Sequence, residues 1–215
     1  MPCISSAVHG CMAEVLQLKV GRMLNFSYLI WDSETNDAAV VDPSFDTTAV
    51  TEEVSRRNLR LRYVMLTHHH FDHVQEAEHL ASATRAAIVA HAKSPLKADI
   101  SLQDGQALTL GHTEIRAIHT PGHTADSCCY LMDGKLFTGD TLFIGECGRV
   151  DLEDSSPEDM YNSLIVRLRA LPESTIVFPG HDYGKTPVST IGNEKESNYT
   201  MAQRTKEEFL KFMTS

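Results

Sequence analysis

The sequence predicts an α/β protein built as an αββα sandwich, in which two mixed β-sheets pack face to face and helices cover their outer faces. Three observations carry this. The chain has 215 residues, 42% hydrophobic and 22% charged, the balance of a globular protein long enough to bury a sizeable core. Its short apolar runs mix hairpin signals with strand-helix-strand signals, so antiparallel and parallel pairing are both expected. No linker, low-complexity stretch or charge block divides the chain, so residues 1–215 are expected to form one domain.

The segments "EVLQLKV", "NFSYLIWD" and "DAAVVDP" read as strands, the last two joined across "SETN" as a hairpin. "DTTAVTEEVSRRN" has helical character and feeds "LRLRYVMLT", a strand whose apolar end predicts a buried central position. One helix is expected over "HVQEAEHLASAT", followed by strands in "AAIVAH" and "QALTLGHTEIRAIHT". "SCCYLMDGKLFTGD" is a further hairpin turning at Asp133 and Gly134. Its adjacent Cys128 and Cys129 are expected on opposite faces of a strand. A helix over "SPEDMYNSLIVRLRAL" and the strand "STIVFPG" follow. A closing helix over "NEKESNYTMAQRTKEEFLKFM", packed by Phe209, Leu210 and Phe212, completes the chain.

Composition narrows the function classes. No run approaches the length of a transmembrane helix, and the start "MPCISSAVHGCMAEVLQLKV" has neither a basic nor a continuous apolar region of the signal-peptide kind. A cytoplasmic location with no membrane partner is therefore expected. The five cysteines, Cys3, Cys11, Cys128, Cys129 and Cys147, are odd in number and follow no zinc-knuckle spacing, which points to free thiols. Cys147 is expected to serve packing. A formal net charge of -10 disfavours a nucleic-acid surface.

The chemistry concentrates in "MLTHHHFDHV", where His68, His69, His70, Asp72 and His73 fall within six residues after an apolar strand. Alternation at a strand end points His68 and His70 one way and His69 another. Asp72 and His73 fall where the next helix begins, and Asp72 taken alone reads as its N-cap. The group taken together reads as a metal site, because so many imidazoles around one strand end are awkward with nothing to bind. Three further strand ends carry ligand-type residues in tight turns, "IHTPGHTADS" with His123, "LFTGDTLF" with Asp140 and "IVFPGHDYG" with His181. Five histidines and two aspartates at strand ends suit zinc, iron or manganese. His9, His69, His79, His91, His112 and His119 have no place in this pattern and are expected at the surface or behind the ligands.

"THHHFDH" resembles the HxHxDH signature of the metallo-β-lactamase superfamily, and His123, Asp140 and His181 match its later ligands in order and context. The resemblance runs through nearly the whole chain and implies the αββα metallo-β-lactamase sandwich. It implies that His68, His70 and His123 hold one metal, that Asp72, His73 and His181 hold a second, and that Asp140 bridges them. Asp72 is also the candidate catalytic residue. Two divalent ions are expected, zinc first, with iron or manganese as alternatives.

Within the superfamily the segments "FTGDTLFIGECGRVD", "MYNSL", "LPESTIVFPGHDYG" and "VSTIGNEKESN" are similar to glyoxalase II and to the persulfide dioxygenases. The resemblance places Arg149 and Tyr183 against the substrate. The chain departs from both patterns. Only 34 residues follow His181, and Asn198, Tyr199 and Thr200 stand where the dioxygenases usually show Asn-Pro-Arg. The expected function is a metal-dependent hydrolase of thioester-like substrates, similar to hydroxyacylglutathione hydrolase and acting on a small-molecule thiol or thioester. The alternatives are a persulfide dioxygenase with a single iron on His68, His123 and Asp140, and a metal-binding scaffold without catalysis. Self-association is compatible with either.

Overall fold

The computed structural model describes residues 13–213. The first sheet runs in chain order through β1 (Glu14–Val20), β2 (Asn25–Trp31), β3 (Asp37–Val41), β4 (Arg60–Met65), β5 (Ala87–His91) and β6 (Ile100–Leu102). Pairing is antiparallel from β1 to β3 and parallel from β3 to β6. The parallel part needs crossovers, supplied by α1 (Thr48–Arg56) between β3 and β4, and by α2 (Phe71–Val74) and α3 (Ala77–Thr84) between β4 and β5.

The second sheet contains β7 (Ala107–Leu110), β8 (Thr113–His119), β9 (Cys128–Met132), β10 (Lys135–Gly139), β11 (Ile176–Pro179) and β12 (Ser189–Thr190). Its spatial order is β12-β11-β10-β9-β8-β7, antiparallel except for the β10–β11 pair. That parallel pair is bridged by α4 (Pro157–Tyr161), which runs on as a π-helical turn Asn162–Arg167 and a 3-10 turn Leu168–Ala170. Pro157 at the start of α4 and Ser156, whose hydroxyl accepts from the Asp159 N–H, define where that helix begins. After β12 come α5 (Ile191–Ser197), a 3-10 turn Tyr199–Met201 and α6 (Lys206–Met213).

Three apolar layers result. Tyr28, Val41 and Met65 of the first sheet meet Ile115, Tyr130 and Phe137 of the second between the sheets. Leu29, Val40, Val64 and Leu80 fill the first helix-facing layer, and Cys129, Leu136, Leu164, Val177 and Phe209 fill the other. Each strand side chain alternates between a sheet-facing and a helix-facing layer, so β2 is buried along its whole length. Full burial of one such large apolar side chain stabilises by about 1.5–3 kcal/mol. Cys128 joins the inner layer and Cys129 the outer one. Cys147 packs in that outer layer too, where burial pushes its thiol up to about 12. Cys128, Cys129 and Cys147 are free and buried; Cys3, Cys11 and His9 lie outside the described residues.

Two expectations are corrected. The helix expected over residues 73–84 is broken between α2 and α3, because the Glu76 N–H donates to Pro43 O instead of continuing the helical ladder. The single closing helix is two helices, because Asn198 takes an extended conformation and its side chain caps the following turn at Thr200. The short strands β6 and β12 carry too few residues to show an alternating pattern, and sequence reading passed over both. No helix among the described residues is long and apolar enough to cross a membrane.

Candidate metal centre

Four strand ends of the two sheets open at one edge of the sandwich. The loop after β4 brings His68, His70, Asp72 and His73, the β8–β9 loop His123, the end of β10 Asp140, and the end of β11 His181. Backbone hydrogen bonds close this edge between the sheets, from Phe26 N–H to Gly180 O at 2.8 Å and from Cys128 N–H to Thr67 O at 2.8 Å.

Four overlapping groups of ligand-type residues converge among the described residues; Asp42, His68 and His73 form one, His69, His70 and Asp154 another at the rim, and the remaining two contain the expected ligands. One donor atom from each of His68, His70 and His123 lies within 4.8 Å of the others, and the same holds for Asp72, His73 and His181. Asp140 stands between them, with Oδ2 3.5 Å from His123 Nε2 and 3.3 Å from His181 Nε2, and Oδ1 3.3 Å from His73 Nε2. Glycines make the approach possible. A side chain at Gly148 would overlap the Asp140 backbone, and one at Gly139, where φ is +49°, would overlap Thr67.

Hydrogen bonds fix which ring nitrogens face inward. His123 Nδ1 donates to Arg149 O at 3.0 Å and His181 Nδ1 donates to Met23 O at 2.9 Å. His73 Nδ1 donates to Asp42 Oδ2 at 3.0 Å. His68 Nδ1 contacts Thr67 Oγ1 at 3.1 Å, and that hydroxyl donates to Asp42 Oδ2 at 2.7 Å, so His68 is the donor of their bond. The Nε2 atoms of His68, His73, His123 and His181 therefore point into the cluster, that of His123 meeting His70 Nδ1 at 2.9 Å. His68 Nε2 and Asp140 Oδ1 are buried there with no hydrogen-bond partner, and His73 Nε2 faces His181 Nε2 at 3.2 Å. Buried acceptors converging on one another require positive charge among them. A set of imidazoles and carboxylates fits borderline divalent cations once His73 gives up its second proton.

The electrostatics agree. Burial, reinforced by the His73 and His123 imidazoles, holds His68 well below the ordinary histidine value, and burial beside His123 lowers His70. Burial also disfavours charge on His73, but Asp140 and Asp42 outweigh it and hold that pKa well above the ordinary value. Burial alone would raise the Asp140 carboxyl; the His73 and His181 imidazoles outweigh it and keep the group ionised.

His69 turns away from the cluster, with Nδ1 2.7 Å from Asp126 Oδ1 and Nε2 3.4 Å from Asp154 Oδ2. The chain has left β4 at Met65 by this point, so loop contacts orient His69 rather than strand alternation. Asp72 caps no helix: the residue before α2 is His70, with no side-chain cap, and Asp72 Oδ2 accepts from Asn25 Nδ2 at 3.0 Å. Arg149 reaches the cluster through its backbone carbonyl, while its guanidinium pairs with Asp151 at the surface. Tyr183 stacks on the His181 ring at 4.7 Å between centroids, with Phe143 edge-on to both. Burial, then Asp140 and Asp72, raise the Tyr183 phenol, which stays neutral. Of the remaining histidines, His91 and His119 stack on each other 3.9 Å apart, and His91 is buried rather than at the surface because that stack covers it.

Sequence reasoning missed three residues. Asp42 accepts from Thr67 N–H, Thr67 Oγ1 and His73 Nδ1, so one carboxylate orients both groups. Asn25 donates to Asp72 from two strands away. Ser44 Oγ donates to the Asp72 carbonyl. The signal for Asp42 was available, since "VVDP" ends a strand as the ligand-bearing segments do.

The chain belongs to the metallo-β-lactamase superfamily, whose family model matches residues 20–97 and 92–181. Its relatives are enzymes of two kinds. It is 36% identical over 93% of its length, and 92% of theirs, to the probable polyketide biosynthesis zinc-dependent hydrolase BaeB of Bacillus velezensis. It is 39% identical to a cytoplasmic hydroxyacylglutathione hydrolase of Arabidopsis thaliana, over 74% of this chain and 64% of that one. With the mitochondrial persulfide dioxygenase ETHE1 of Homo sapiens the identity is 31%, over 87% and 75%. The solved structure of ETHE1 from Myxococcus xanthus superposes with a TM-score of 0.89 at 32% identity, covering 94% of this chain and 90% of that one.

Proposed function

We propose that this protein is a metal-dependent hydrolase of small-molecule thioesters. The observation that carries the reading is the second group: Asp72, His73 and His181 are all present, buried, and share Asp140 with His68, His70 and His123. In this reading the two groups hold one divalent cation each, zinc being the first choice, and Asp140 serves both. Bound divalent cations would lower the pKa of water and polarise a carbonyl. The chain's own residues do the rest. Asp42 and Asn25 hold His68, His73 and Asp72 in register. Asp72 Oδ2, kept beside His73 and His181, is placed to accept the proton of the attacking water. Tyr183 and Phe143 cover one flank of His181.

The test is thioester cleavage in the strict absence of oxygen, with one thiol released per acid formed. The second reading, a persulfide dioxygenase, is favoured by the likeness to ETHE1 and by the two-histidine, one-carboxylate set of His68, His123 and Asp140. Oxygen uptake driven by glutathione persulfide in the iron-loaded protein, with no thioester cleavage in the zinc- or manganese-loaded protein, would decide for it.

A further inference from the structure

A cavity of about 580 Å³ opens beside the cluster, with Phe143, Val150, Tyr183 and Met213 among its walls. Three contacts tie it to the candidate ligands. Gly148 in its wall packs against the Asp140 backbone and the His123 ring, Arg149 O accepts from His123 Nδ1, and Tyr183 stacks on His181. A substrate reaching the cluster through this cavity meets aromatic and aliphatic surface.

The charged groups of the wall are Glu146, Arg149 and Asp151. Arg149 is the sole cation in that lining, and its fork is taken: Nε donates to Asp151 Oδ1 and Nη2 to Asp151 Oδ2, both at 2.9 Å. Bidentate geometry of this kind is how an arginine would otherwise grip a substrate carboxylate. Glu146 has no ion pair among the described residues, its Oε1 accepting from Cys147 N–H. The wall thus carries two carboxylates against one arginine already paired with one of them. A thiol arm bearing carboxylates finds no free cation there and faces an unpaired acid.

We infer that the cavity selects thioesters whose thiol arm is uncharged, and that the Arg149–Asp151 pair sets this preference by occupying the guanidinium. The inference rests on the thioesterase reading and deepens it. It separates this chain from hydrolases built for glutathione thioesters, whose thiol arm carries two carboxylates and one ammonium and is net negative.

The experiment compares the S-hexanoyl thioesters of N-acetylcysteamine and of glutathione on the metal-loaded protein, without oxygen. The acyl group is constant, so the ratio of kcat/KM values reads the thiol arm alone. The uncharged arm is expected to be favoured at least tenfold. Asp151→Asn frees the guanidinium and is expected to narrow the ratio to about threefold or less, by lowering KM for the glutathione thioester rather than raising kcat. Asp151→Glu retains the pair and should retain the ratio, which a merely structural role for Asp151 would not demand. A ratio at or below one, or a ratio unmoved by Asp151→Asn, overturns the inference while leaving thioester hydrolysis standing. If neither thioester is cleaved, the hydrolase reading fails. The cavity is then tested by calorimetric titration with the uncleavable S-hexyl thioethers of the same two thiols, where equal or tighter binding of the glutathione compound overturns the inference and tighter binding of the uncharged one upholds it.

Discussion

The two groups of candidate ligands sit side by side yet differ in surroundings. His68, His70 and His123 are all imidazoles, with His70 partly buried and the other two fully so. Asp72, His73 and His181 are buried throughout and include a carboxylate. Burial lowers His68 and His70, so these rings are neutral. His73 is the reverse, held in its charged form by Asp140 and Asp42. On the proposed reading the first group, open at His70, would meet substrate, and a cation entering the buried second group would displace the second proton of His73. The contrast arises from which side of the edge each loop covers.

Removing what the groups share should break both at once. Asp140→Ala is expected to abolish activity and lower the metal content of both groups while circular dichroism shows a folded protein; elemental analysis with full occupancy would show that Asp140 belongs to neither. His70→Ala should strip the first group and its activity, leaving about half the metal, since the sealed group does not depend on that ring. Loss of all metal from this variant would mean that the groups do not load separately. Asp42→Asn acts on both from behind, through Thr67 on His68 and directly on His73. Such supporting carboxylates typically cost about 10- to 100-fold in metal affinity, and competition titrations should show that loss without loss of fold.

A pH series sharpens the difference. The raised pKa of His73 means that a proton competes for the second group, so its metal affinity should climb as pH rises towards and through that pKa. The first group, in which His68 and His70 are lowered, should change far less over the same interval. Identical pH slopes for the two sites would remove the distinction. The smallest effect is expected at His69, which bonds Asp126 and stands outside both groups. His69→Ala should keep metal and activity within about threefold, and damage equal to that of His70→Ala would place it in the cluster.

Much of this was open to sequence reading because it is local. The strands and hairpin turns follow from alternation and from dipeptides such as Asp133–Gly134, and the candidate ligands follow from histidines and aspartates placed just after apolar runs. Even the split of Cys128 and Cys129 between two layers needs only the period of a strand. These properties depend on neighbours within a few residues, and the chain carries them whatever surrounds it.

What tertiary structure decided are contacts between segments far apart in the chain. Asp72 looks like a helix cap until Asn25 arrives from another strand to hold its carboxylate. Asp42 looks like an ordinary strand-end residue until Thr67 and His73 turn to it. Glu76 leaves its helix for Pro43, and His91 drops to about 4 because burial and the stacked His119 disfavour its charge. Arg149 shows the reason most plainly. Its position beside the cluster was legible, but its carbonyl turned inward to His123 while its guanidinium turned outward to Asp151. A sequence lists donors and acceptors, and only the packed fold settles which partner each one meets, because a buried polar group must pair with whatever the fold places within reach.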